Sequence, residues 1–416
     1  MIDLTLPLYC YVIALGGPPW VKLFTPEFQN SLTSEGKFFL NSAKAFGYNA
    51  LLPRAGEWKT PWKTAVAPGA EMPVYNAQYS NSFENVSDMR ALDVKKLINE
   101  GGKKFAVFYS GGIDSTLTVV ALLKNLTEEE LNNVYIAMSP DSIIENPNFY
   151  YNFIQNKLKI LDSQKNMYSD FLNQGFICIS SDAGDSIFGT ELGTKMYSQF
   201  KEISNTLPTN IQKSVANLYY DVISKDVHFS NYKDLIIAYF NSNLSTPSDR
   251  IFGQIFYEKL VNNINTSPVP INSLHDFFWW MIFNIKYMHC ALRPGFLYSL
   301  GNNRKEICVD GTFNWYGSID YQLWSMANNN NGQKINGPRQ SSYKTAARNY
   351  IYEFDKNYWY YRHKLKIASL PIIRYRNLKK YYKDHCKNIA MNSNYDILFL
   401  DDPGVNDFII NGIRNL

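Results

Sequence analysis

The chain has 416 residues, of which 45% are hydrophobic and 19% charged, a balance that describes a folded globular protein and excludes a disordered or fibrous one. A formal net charge of +4 over this length gives no broad electrostatic footprint for nucleic acid. The five cysteines (Cys10, Cys178, Cys290, Cys308 and Cys386) are odd in number, scattered and without C-x-x-C spacing, which argues against a zinc site or disulfide framework and for a reducing compartment.

No basic segment followed by an apolar run and a cleavage site opens the chain, so a cytoplasmic location without membrane association is expected. Residues 1–84 are irregular, with Pro and Gly clustered at 16–19 and between Pro53 and Pro73 around Trp58 and Trp62. They read as a short lobe or an arm of unknown role. The pattern of residues 93–100 predicts a helix stopped by Gly101-Gly102. The apolar run 105–109 predicts a buried strand, followed by the turn Ser110-Gly-Gly-Ile-Asp-Ser115 and a helix over 115–124. Further buried strands are predicted at 134–138 and 175–180, with a helical stretch around 164–173 before the second.

Strands alternating with helices predict an α/β fold, a parallel sheet flanked by helices. Ligands of such sheets sit at the carboxyl ends of strands, and the loops starting at Ser110, Ser139 and Ser180 all leave such ends. Beyond about residue 195 apolar residues recur at helical spacing through 211–224, 233–240, 251–264 and 274–292, so this half reads as largely helical. The most apolar stretch, 277–292, contains Asn284, Lys286 and His289 and is too short and polar to span a bilayer. Residues 328–332 read as a polar loop, and 341–366 resume a helical pattern rich in Lys, Arg and Tyr.

The turn at 110–115 carries the chemistry. Two glycines let a backbone approach an anion closely, and the first N–H groups of the following helix are unpaired and point toward it. The helix dipole and the hydroxyls of Ser110, Ser115 and Thr116 add to the attraction. Asp114 would repel a bare phosphate, so its presence points to a bound Mg²⁺, a hard cation that takes carboxylate oxygen. No lysine follows the glycines, which excludes the Walker A loop of kinases and GTPases.

Two other constellations stand beside it. Ser180-Ser-Asp-Ala-Gly-Asp-Ser-Ile-Phe-Gly-Thr190 follows a predicted strand and carries two acids, a place for Mg²⁺ or an amine, or a solvated turn. Lys344 with Arg348, and Arg362 with Lys364, present cations that could stabilise charge at a phosphorus centre, or a solvated basic helix face.

Together the three pieces resemble the synthetase domain of asparagine synthetases, with β-lactam synthetases and lasso-peptide cyclases as relatives, within the N-type ATP pyrophosphatases. The family's S-G-G-[LIV]-D-S is matched completely by Ser110 to Ser115. Its S-G-E-G-[AS]-D-E-[LV]-F-G-G is matched loosely by residues 180–190, with Asp182 in place of the glutamate, Asp185 kept and Ser186 in place of the second glutamate. Its K-x-x-x-R followed by R-x-K is matched by Lys344, Arg348, Arg362 and Lys364.

The resemblance covers about residues 85–370 and leaves 371–416 as a C-terminal extension. It implies an adenine nucleotide alpha-hydrolase-like fold and the adenylation of a carboxylate by ATP. Asp114 and Asp185 would hold Mg²⁺, and Gly111 and Gly112 would cradle the pyrophosphate. Met138 and Ser139 would lie against adenine. Lys344 would neutralise the phosphates. Lys364 would stabilise the transition state, so that Lys364→Ala keeps ATP binding and loses the chemical step. Asp182 would bind or deprotonate the nitrogen nucleophile.

Residue 2 is Ile where the family's glutaminase carries its cysteine, so no glutaminase is expected. The nitrogen would then come from free ammonia, from a separate amidotransferase or carrier protein, or from an amine on the substrate. Two other readings stay open: a related adenylating enzyme such as a transfer-RNA base modifier, and a nucleotide-binding protein whose catalytic site has decayed.

Overall fold

The computed structural model describes residues 70–163, 168–189, 204–224, 226–242, 252–288, 311–328 and 343–364, with short pieces at 8–9, 30, 53–56, 64–65, 193, 196–197, 199–200, 290–291 and 334–335. The chain forms two compact units, one from Asp88–Ser180 with Ala347–Leu416 and one from Met1–Ser87 with Ser181–Ala346. The cluster at 16–19, Trp58, Trp62, Cys10, Cys308, Cys386, the loop residues 329–332 and the extension 371–416 lie outside the described residues.

Helix α1 (Phe83–Gly101) leads into strand β1 (Lys104–Phe108). The glycine turn follows, then helix α2 (Ile113–Asn125), strand β2 (Val134–Met138), short helix α3 (Pro140–Glu145), strand β3 (Lys159–Asp162) and strand β4 (Phe176–Ser180). Within this unit the four strands form a parallel sheet in the order β3-β2-β1-β4. Phe105 pairs with Val134 on one side and Ile177 on the other, which places β1 in the interior.

Phe105, Ala106 and Val107 are fully buried, as is Ile136 of β2 and Ile179 of β4. These continuous apolar runs fit strands covered on both faces by helices. The α/β architecture expected from the sequence is therefore the one observed. Helix α2 buries Ile113 and every residue from Ser115 to Leu122, so the turn before it is fixed at both ends by core. Helices α4 (Thr345–Asp355) and α5 (Tyr358–His363) end the described part of the chain.

The structure adds two features the sequence reading lacked here. Helix α1 starts ten residues before the predicted 93, where the Ser82 hydroxyl accepts the Asn85 N–H at 3.1 Å. Strand β3 lies at the sheet edge with Lys159 and Ile160 exposed.

The other unit is mainly helical, with helices at Thr209–Ser224, Lys233–Ser242, Phe252–Ile264, Leu274–Trp280 and Ile319–Ala327 and a short strand at Thr312–Asn314. The helical expectation for this half holds, and the segments at 312–314 and 319–327 are additions to it. Ser273 and Asp276 form a capping box that starts the helix at 274, and Phe277, Phe278 and Trp279 behind it are fully buried.

The same helix widens into a π-helical turn at Met281–Lys286, which disturbs the ordinary carbonyl pairing. Buried Arg54 takes up the Phe283 carbonyl at 2.6 and 3.2 Å, donates to Gln322 Oε1 at 2.6 Å and lies 3.7 Å from the Tyr287 ring centroid. Burial pushes its guanidinium pKa down to about 10. Among the described residues no helix is long and apolar enough to cross a membrane.

Candidate functional site

The glycine turn closes on itself before it meets anything else. Ser115 Oγ donates to the Gly112 carbonyl at 3.2 Å, and the Ser110 N–H donates to Ser115 Oγ at 3.2 Å. The Gly112 N–H reaches Ser110 Oγ at 3.3 Å. Gly111 sits at φ +75°, where L side chains are strained, and a Cβ there would stand 2.5 Å from the Ser142 carbonyl and 2.8 Å from Glu145 Cβ. Gly112 has ordinary extended geometry, φ −73° and ψ 164°, and caps α2 without any side-chain bond. The turn is thus packed on the backbone of α3 at Gly111 and presents the start of a 13-residue helix at Gly112.

Helix α5 holds the turn through Tyr360. Its hydroxyl donates to the Gly111 carbonyl at 2.8 Å and lies 3.2 Å from Thr116 Oγ1. Burial pushes the phenols of Tyr360 and neighbouring Tyr109 well above their ordinary values, so both stay protonated. Ser142 Oγ donates to the Tyr109 carbonyl at 2.8 Å, and the Tyr109 N–H donates to the Ala137 carbonyl at 2.9 Å. The loops after β1 and β2 therefore leave the same end of adjacent strands. Met138 is buried at the end of β2, and half-exposed Ser139 caps α3. Asp114 lies in the first turn of α2, half-exposed.

Lys364 follows α5, and its ammonium lies 2.5 Å from Glu145 Oε1, with side-chain exposures of 8% and 0%. The alternative reading of a solvated basic face therefore fails for Lys364. It fits Arg362, which is exposed and packs over the Tyr358 ring. Arg348 is buried and donates to the Tyr361 carbonyl at 2.7 Å, which fixes the end of α5.

The second motif belongs to the helical unit. Half-exposed Asp182 lies on the turn before the short helix Gly184–Phe188, and Gly189 ends that helix at φ +72°. A Cβ on Gly189 would come within 2.6–2.9 Å of Trp279, so bulk and backbone both demand glycine there. Asp185 Oδ1 receives the Lys344 ammonium at 2.7 Å and the Tyr343 hydroxyl at 3.0 Å. Lys344 is buried and sits at φ +57°, a conformation that costs a lysine about 1–2 kcal/mol and is kept only where the surroundings dictate it. Its N–H donates to the Lys334 carbonyl at 2.8 Å.

The expected residues thus gather in two groups. Ser110 to Thr116, Met138, Ser139 and Lys364 belong to the sheet unit; Asp182, Asp185 and Lys344 belong to the helical unit. Sequence reasoning missed Glu145 and Tyr360. Tyr360 lies one helical turn before Lys364 and was findable by that spacing, whereas nothing local marks Glu145. Among the described residues no three His, Cys, Asp or Glu side chains gather as a metal cluster. A Mg²⁺ site needs none, because one or two carboxylates suffice when phosphate oxygens and water complete the shell, and half-exposed Asp114 in the first turn of α2 fits that donor set. No protein-family model, curated protein or solved structure matches this chain.

Proposed function

We propose that the protein is an ATP-dependent amide-forming ligase that adenylates a carboxylate, releases pyrophosphate, and passes the acyl group to ammonia or an amine with release of AMP. The observation that carries this reading is the turn at 110–115: a parallel strand ends in Ser-Gly-Gly, Gly111 takes a left-handed backbone packed on α3, and Lys364 is delivered beside Gly112. The N–H groups opening α2 would bind the departing pyrophosphate, and the hydroxyls of Ser110, Ser115 and Thr116 would orient it. Asp114 is the carboxylate this turn offers to Mg²⁺. Mg²⁺, when bound, supplies neutralisation of phosphate charge.

Lys364 would stabilise charge on the phosphorus centre as the α–β bond breaks. The proton released when the nitrogen attacks the acyl-adenylate passes to solvent. The substrates are a small carboxylate and ammonia or an amine. The test is product analysis by ³¹P NMR after incubation with Mg-ATP and a panel of carboxylates and amines. AMP with pyrophosphate supports the proposal, and ADP with phosphate overturns it. One observation favours a second reading, nucleotide binding without catalysis: Lys344 and Lys364 both rest on carboxylates. Mg-ATP binding with no AMP release under any substrate pair would select it.

A further inference from the structure

We infer that Tyr360 is a positioning residue of the glycine turn: its hydroxyl holds the Gly111 carbonyl inward, which keeps the Gly112 N–H turned outward as a donor to a polyphosphate. The inference rests on the pyrophosphate-loop reading and adds to it the group that sets which face of the Gly111–Gly112 peptide a ligand meets.

A trans peptide is planar, so its C=O and N–H point in opposite directions and whatever fixes one fixes the other. The two ends of this peptide differ in burial. Gly111 is buried, and its carbonyl accepts the Tyr360 hydroxyl at 2.8 Å. Gly112 is half-exposed at the start of α2. Its N–H makes a long bond to Ser110 Oγ at 3.3 Å, one that an anion can share or replace. Turned over, the same peptide would show a carbonyl oxygen where the anion rests, and a donor would become a repelling acceptor.

The local chain does not fix the peptide by itself, because both residues that flank it are glycines and accept a wide range of backbone angles. The restraint comes from 249 residues away. Tyr360 is built for it. The residue is buried, with Thr116 Oγ1 3.2 Å from its hydroxyl, and its backbone N–H donates to the Asn357 side chain at 3.0 Å where α5 begins. Backbone and hydroxyl of one residue therefore have separate tasks: the first starts α5, and the second holds the turn. That separation makes the role testable.

The test is calorimetric titration of the full chain with Mg-pyrophosphate, with thermal melts beside it, for wild type, Tyr360→Phe, Asn357→Ala and p-aminophenylalanine in place of Tyr360. Tyr360→Phe should bind about tenfold more weakly, the factor carried by one hydrogen bond to a charged group. Asn357→Ala removes the helix cap and should melt lower, yet bind within about threefold of wild type. The p-aminophenylalanine variant keeps an N–H donor at the hydroxyl position and should also bind within about threefold of wild type. In ¹⁵N-resolved NMR the Gly112 amide, assigned by its absence in Gly112→Ala, should move downfield when Mg-pyrophosphate saturates wild type. In saturated Tyr360→Phe it should stay near its free position.

Normal binding by Tyr360→Phe would overturn the inference, as would a Gly112 amide that moves equally in saturated Tyr360→Phe and wild type. Asn357→Ala binding as weakly as Tyr360→Phe would show that only the docking of α5 matters, and would overturn it too. If Tyr360→Phe fails to fold, two measurements still decide: weak binding by the p-aminophenylalanine variant, or an unmoved Gly112 amide in saturated wild type, refutes the role. Wild type that binds no pyrophosphate would sink this inference and the proposed function together. Wild-type binding with no loss in Tyr360→Phe would sink this inference alone.

Discussion

Changing either glycine of the turn to alanine separates what holds the loop from what the loop holds. Gly111→Ala puts a Cβ 2.5 Å from the Ser142 carbonyl and 2.8 Å from Glu145 Cβ, at φ +75°. The left-handed backbone costs alanine about 1–2 kcal/mol. Forcing a methyl against backbone adds about 1–3 kcal/mol. The expected loss, about 2–5 kcal/mol, is a large share of a typical unfolding free energy. Gly112→Ala differs because its φ of −73° suits any residue. The added Cβ meets only movable side-chain atoms, Ser110 Oγ at 3.1 Å, Glu145 Oε1 at 3.4 Å and Lys364 Nζ at 3.9 Å. Stability should therefore stay within about 1 kcal/mol of wild type.

The methyl nevertheless blocks the close backbone approach that an anion needs, removing a hydrogen bond to a charged group worth about 1.5–3 kcal/mol, or tenfold or more in affinity. Urea denaturation and Mg-pyrophosphate titration on both variants measure the two quantities. Gly111→Ala as stable as wild type, or Gly112→Ala binding normally, would refute the reasoning.

Asp114→Asn should fold and melt like wild type yet lose Mg²⁺-dependent AMP formation, and unchanged turnover would remove its metal role. Arg54→Leu leaves the Phe283 carbonyl and Gln322 Oε1 without their buried donor, at about 1–3 kcal/mol each. Its melting temperature should drop by several degrees, and an unchanged melt would show that other groups take over.

Glu130 accepts the Thr127 N–H at 2.8 Å and the Asn99 amide at 2.9 Å, and these bonds pull its pKa from 4.5 to about 2. A carboxylate depressed on folding contributes stability above its unfolded pKa and loses it as the pH falls through the folded one. Glu130→Gln should therefore melt lower than wild type at neutral pH, with the gap closing between about pH 4.5 and 2. A gap of constant size across that range would contradict the assignment.

Local signals in this chain were readable and distant ones were not. Strands β1, β2 and β4 are covered on both faces and write themselves as apolar runs, whereas edge strand β3 is a half-exposed Lys-Ile-Leu-Asp with no such run. The first turns of α1 carry Asn85, Ser87 and Asp88, poor helix formers that masked its start. Ser87 is accommodated because its hydroxyl donates back to the Phe83 carbonyl at 2.7 Å.

The glycine turn was legible because strand, loop and helix are contiguous. Its supports were not, since Tyr360 reaches Gly111 across 249 residues of sequence and Arg54 reaches Phe283 across 229. Lys344 illustrates a different limit. Its spacing to Arg348 gave the residue, but its left-handed backbone and its engagement with Asp185 come from tertiary packing alone.

The most direct test of the central claim is exchange of labelled pyrophosphate into ATP by the purified protein with Mg²⁺, across carboxylates that include aspartate and uronic acids, with no amine present. The account predicts label in ATP with a particular carboxylate and none without it, because adenylation is reversible while pyrophosphate rests on the turn at 110–115. A protein that binds Mg-ATP yet exchanges no label with any carboxylate, alone or with amines supplied, would contradict it.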